Sequence, residues 1–266
     1  MRRIVLVLFA ASLALTGCVV IERRTTTAPP SGGTHGSSEP LPTAEPAPLA
    51  ASSDRLLVGS LGWALLSADV PNAVLEVDQV GGARITDEAV AALEEALREH
   101  GRKRNVEVVR SEEEGSRDVY SLRDLVEASQ EHRDRSSGGG TVAVHVLVLP
   151  GRFEVEGVPG AAFHATAFAL FPAEIERRLP PGSAVGAFQA AVAVHELGHT
   201  FGLVNRTGVG EFNEDPEHPS HTADPDSVMY WAIESPSLSQ VFRSGPPRTF
   251  TEADRREMEM IRQQRP

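Results

Sequence analysis

The chain has 266 residues, is 41% hydrophobic, and carries 37 acidic against 25 basic side chains, a formal charge of −12. That acidity excludes a nucleic-acid binder held by phosphate contacts, and it excludes electrostatic adhesion to anionic lipid. A single cysteine excludes a disulfide framework and leaves stability to an apolar core, for which residues 54–266 are long enough as one domain.

Met1-Arg2-Arg3 is a basic start, and Ile4 to Leu15 is apolar but shorter than the roughly 20 residues a permanent membrane helix needs, so residues 1–17 read as a secretory signal. The segment ends Leu15-Thr16-Gly17-Cys18, which resembles a bacterial lipobox: cleavage before Cys18 makes it the lipid-bearing first residue. Val19 stands where an inner-membrane retention signal has Asp, which favours the outer membrane and an envelope location outside the cytoplasm. Bacterial lipoproteins carry more than one acyl chain on that cysteine, enough for a stable attachment to the bilayer. Residues 18–53, crowded with Pro, Ser, Thr, Ala and Gly, cannot repay their conformational entropy by burial and read as a disordered tether, with His35 a linker residue. Fully stretched, the tether reaches on the order of 100 Å.

Ala73 to Val80 alternates and is rich in β-branched residues before Gly81-Gly82, which predicts a strand and its exit turn. Thr86 caps a helix running to about His100, with Ala89, Leu93, Ala96 and Leu97 at helical spacing and Gly101 ending it. Asn105 to Arg110 predicts a second strand, Leu122 to Arg133 a helix, and Ser136 to Gly140 a loop. Thr141 to Leu149 is apolar at nearly every position and predicts a strand buried on both faces. His145 within it reads as a core or near-surface histidine and not a ligand, since its neighbours are apolar and no partner is spaced with it. Ala161 to Phe171 predicts one further strand, carrying His164, before Pro172. Ser183 is placed to cap a helix from Ala184 to about Thr200, apolar on most sides and therefore buried under the sheet. This order favours an α/β fold with a mixed, twisted sheet and one antiparallel edge strand. Thr251-Glu-Ala-Asp caps a terminal helix with Met258 and Ile261 on its inner face.

The buried helix contains His195-Glu196-Leu197-Gly198-His199. Residues four apart share a helix face, so both imidazoles can reach one ion while Glu196 stands beside it, able to take a proton from water but not to bind the same ion. A third ligand must come from elsewhere. Gly202, three residues after His199, can end the helix in a left-handed turn that sends the chain back under the metal. This resembles the metzincin metalloproteases, whose HExxHxxGxxH is followed by a methionine turn. The position of the third His is Asn205 here, but His221 to Tyr230 looks like the matrixin segment from third ligand to methionine turn, with His221 eight residues before Met229. Val204 to Ser220 then reads as an insertion, which the leishmanolysin-like members carry at the same point. The resemblance implies an α+β domain with a buried active-site helix and a C-terminal helix, and zinc held by His195, His199 and His221 with Met229 beneath. It implies Glu196 as general base and a protein or peptide substrate laid along the antiparallel edge strand; the protein is expected to be monomeric.

Other assignments stay open at this level. His218 lies three residues before His221, Asn205 or Asp215 offers an oxygen ligand, and a gluzincin would use Glu252 or Glu257, against which Gly202 and Met229 speak. Glu211, Glu214, Asp215 and Glu217 in the insertion read as a solvated loop before a calcium site. A tethered zinc-binding or adhesion module without turnover is the alternative function, and side-chain preference is not legible.

Overall fold

Strand β4, Thr141–Val148, is apolar at nearly every position because both its faces are covered. A computed structural model describes residues 57–209, 213–234 and 245–264. Cys18, His35, the signal, nearly all of the tether-to-domain junction and Glu211 lie outside the described residues.

Five strands form one sheet in the order β2, β1, β4, β7, β6, where β1 is Asn72–Val80, β2 Asn105–Glu113, β6 Gly160–His164 and β7 Ala167–Leu170. The first four run parallel and β6 is antiparallel at one end, so the chain is α/β with a mixed sheet and an antiparallel edge, as its pattern predicts. Val119–Tyr120 (β3) and Arg152–Phe153 (β5) pair separately. On one face, Leu75, Val77, Val144 and Val146 pack with Leu93 and Leu97 of helix α2 (Asp87–Glu99) and Val194 and Leu197 of a long later helix. Gly62–Leu66 (α1) joins the same cluster. On the other face, Leu147, Leu149 and Phe171 enclose Leu125 of α3, Leu122–His132. Thr86 caps α2 by accepting from the Ala89 amide, and Ser121 with Asp124 forms a capping box on α3.

The structure differs from the sequence pattern in two places that bear on the site. Ala161 to Phe171 is a hairpin, not one strand: β6 and β7 are joined through Ala165-Thr166, with an irregularity between Ala162 and His164. No Gly, Pro or Asn marks that turn, and both arms are apolar, so the pattern ran through it. Pro172–Glu176 (α4) follows. The long helix α5 spans Val185–Phe201, but Ser183 does not cap it: the N-cap position is Ala184, and the Ser183 hydroxyl donates to the Pro180 carbonyl at 2.8 Å. The terminal helix α6, Glu252–Arg262, buries Met258 and Ile261 as expected. Among the described residues no helix is long and apolar enough to cross a membrane.

Candidate metal centre

Helix α5 is buried without interruption from Phe188 to Phe201, because an apolar helix covered by the sheet, α1 and α2 has no solvent face. Its axis carries His195, Glu196 and His199 into the interior, each 0% exposed. Gly202 ends it at φ 90°, its amide donating to the carbonyls of Gly198 and His199. After Leu203 the chain turns left-handed again at Val204 (φ 55°) and Asn205 (φ 63°), a conformation a β-branched residue rarely takes. Glu257 of α6 holds that bend: its Oε1 accepts from the Asn205 amide at 2.9 Å.

The bend and the segment after it bring four donors together. His195, His199, His221 and Glu234 are all buried, and each offers one atom within 4.8 Å of the others. His195 Nε2 and His199 Nε2 are 3.1 Å apart. Glu234 Oε1 lies 3.3 Å from His195 Nε2 and 3.8 Å from His199 Nε2, while its Oε2 lies 3.3 Å from His221 Nε2. A tetrahedron with donors about 2.0 Å from its centre has edges of about 3.3 Å, close to these separations, so the group is compact enough to hold a zinc ion.

The tautomers agree with that geometry. A carbonyl only accepts, so His195 must donate from Nδ1 to Val228 O at 2.7 Å, and His221 from Nδ1 to Pro219 O at 3.1 Å. In the neutral rings each Nε2 therefore turns a lone pair toward the centre, as it does in metal-binding histidines whose other nitrogen is held by a carbonyl. Burial holds His199 and His221 below the usual imidazole range and so favours the neutral, ligating form. Two lone pairs and a carboxylate facing one point make a site that attracts a cation. Three imidazoles and a carboxylate suit zinc, and these four residues can hold it.

Met229 lies beneath this group, 0% exposed. A Cβ on Gly198 would come within 2.3 Å of Met229 Sδ, so the absent side chain makes room for the thioether. The methionine turn is fixed from α6: Asp254 accepts from Ser227 Oγ at 2.7 Å, Ser227 Oγ accepts from the Met229 amide at 2.9 Å, and the Thr222 amide donates to Met229 O at 3.0 Å. Since Val228 O also accepts from His195, the terminal helix orients an imidazole through two intermediaries.

Glu196 faces β6. Burial, and then the like charge of Glu234, push its carboxyl well above the usual carboxylate range, with the Ala162 amide pulling the other way. A carboxyl so raised accepts a proton readily, which suits a general base. A bound divalent cation opposes the shift.

The competing residues are engaged elsewhere. His218 Nδ1 is 2.8 Å from Asp215 Oδ2, and its ring stacks on Trp231 at 4.1 Å. Asn205 donates its side-chain amide to Glu214, Glu252 pairs with Arg256 on the surface, and Glu257 serves the bend. The insertion is not simply solvated: Asp215 is buried and accepts from the Glu217 amide, and Glu214 accepts from the Ser220 amide. His145 is a core histidine with partners that spacing along one strand does not reveal, Asp78 at 2.7 Å and Ser129 at 2.8 Å. His164 is half-buried on β6. Glu234 was missed in the sequence because nothing periodic surrounds it; its one signal is a carboxylate directly after the apolar run Met229 to Ile233.

No family model matches this chain, and no curated protein matches it. Among solved structures it is similar in shape to archaemetzincin from Methanopyrus kandleri, with a TM-score of 0.49 and 17% identity over 75% of this chain and 99% of that one.

Proposed function

We propose that the chain is a zinc-dependent endopeptidase of metzincin type, held to the bacterial envelope by lipid on Cys18. The observation that supports it best is the convergence of His195, His199 and His221 with Glu196 beside the end strand of the sheet. Zinc supplies Lewis acidity toward a carbonyl and toward water. His195, His199 and His221 hold it, the first two from one helix face and the third from the segment before the methionine turn. Glu196 takes the proton of the attacking water and returns it to the departing amine. β6, with no strand beyond it among the described residues, offers its backbone to an extended peptide, which would lie across the centre. The substrate is then a protein or peptide reached from the membrane on the tether of residues 18–53.

The experiment is zinc content and cleavage of a mixed peptide library by the full chain and by Glu196→Gln. Loss of cleavage by a factor of about 10² to 10⁴ with zinc retained supports the enzyme. A zinc-loaded wild type that cleaves nothing favours the second reading, a tethered zinc-binding module, which the fourth donor Glu234 supports.

A further inference from the structure

We infer that Glu234 is a fourth protein donor to the metal, seated where a hydrolytic centre takes its water, and that it is displaced for turnover. This rests on the zinc-peptidase reading above and adds a self-blocking ligand to it. Catalytic zinc sites keep three protein ligands and an open position, whereas four protein ligands close a site. Here the fourth vertex is filled from within the chain, the Glu234 oxygens standing 3.3 Å from both His195 Nε2 and His221 Nε2.

Two observations separate a displaceable donor from a permanent one. The first is how the four donors are braced. His195 and His199 share one buried helix, and His221 sits between backbone hydrogen bonds of 2.7 Å, from the Asp215 amide to its own carbonyl, and 3.0 Å at Thr222. Glu234 instead follows a three-residue 3₁₀ turn, Trp231–Ile233, its amide donating to the Ala232 and Trp231 carbonyls, and its carboxylate is carried on a side chain with three torsions. The second is Glu196, 0% exposed beside the same centre, which a permanently closed site would have no use for. When Glu234 swings off, the vertex passes to water within reach of Glu196; when it returns, the centre is closed again. No bond other than metal coordination forms or breaks in the exchange.

The test compares the full chain with Glu234→Ala and the near-isosteric Glu234→Gln, whose folding is checked by circular dichroism. Zinc affinity is measured by chelator competition, and azide binding is followed through the visible spectrum of the Co²⁺-loaded proteins. The expected result is zinc affinity weakened at least about tenfold in both variants, tighter azide binding, and faster peptide cleavage at full zinc occupancy. Unchanged zinc and azide constants would show that Glu234 is no donor and overturn the inference. Weaker zinc with slower cleavage at full occupancy would overturn displacement, since the carboxylate would then be needed during turnover. Failure of the underlying reading looks different: a wild type that binds neither zinc nor Co²⁺ lacks the centre altogether. If no variant cleaves although azide binds more tightly, the peptidase reading falls while the fourth donor stands.

Discussion

Glu196 lies against the backbone of Gly160, so close that a Cβ there would stand 2.7 Å from Glu196 Oε1 and 2.8 Å from its Cγ. The end strand β6 and the base on α5 are thus in direct contact, and the missing side chain of Gly160 is what lets the carboxylate lie beside the edge on which a peptide would be laid.

Gly160→Ala should therefore move the base without dismantling the fold. The atoms met belong to a fully buried side chain and include Cγ as well as Oε1, so overpacking should cost about 1–3 kcal/mol, while a base misplaced by an ångström costs on the order of 10²-fold in rate. Cleavage should fall by far more than the loss of folded protein explains, at unchanged zinc content and with a melting temperature lowered by only about 2–10 °C. A variant as active as wild type would mean that Glu196 has no fixed role at the strand.

The third imidazole can be tested against its neighbour. His221→Ala should weaken zinc by at least about tenfold, whereas His218→Ala removes a ring stacked on Trp231 and bonded to Asp215 and should leave zinc affinity nearly intact. Chelator competition on both variants decides it, and the opposite order would move the ligand to His218.

Lys103 gives a pH dependence remote from the centre. Its buried ammonium donates to the carbonyls of Ala64, Ser67 and Val70 at 2.7, 2.9 and 2.8 Å, and burial, with Arg262 nearby, pulls its pKa down to about 7. Unfolded, the same group keeps its proton to about pH 10.4. Between those values the unfolded chain binds more protons than the folded one, so this residue's contribution to stability should rise with pH from about 7 upward. The melting temperature of wild type minus that of Lys103→Met should widen between pH 7 and 9. A constant difference would mean that the three carbonyls, which use all three N–H groups of the charged form, hold the proton in place.

Much of this was legible in the residues. Period-two and period-3.6 patterns located β1, α2, β4 and α5 to within a few residues, because each buries a continuous face. The eight-residue step from His221 to Met229 picked out the imidazole that joins the centre, since the Thr222–Met229 hydrogen bond closes that segment on itself. What could not be read depends on pairings between distant segments. His145 meets Asp78 only because β1 and β4 lie side by side, and the β6–β7 turn has no residue that marks it. Glu234 is a lone acid after an apolar run, and its place is set by how the 3₁₀ turn leaves Met229. Ser183 had the right residue type for a cap but stands one position before the N-cap, Ala184.

All four donors come from positions 195 to 234, whereas every strand of the sheet lies between 72 and 170. A chain made from its N-terminus has all the described strands synthesised before the first donor imidazole, His195, exists. Metal capture is then a late, short-range event that closes loops of tens of residues at little entropic cost, and it cannot template the sheet. Stripping the ion should accordingly loosen the last third of the chain first, a partial opening that amide exchange would resolve from global unfolding.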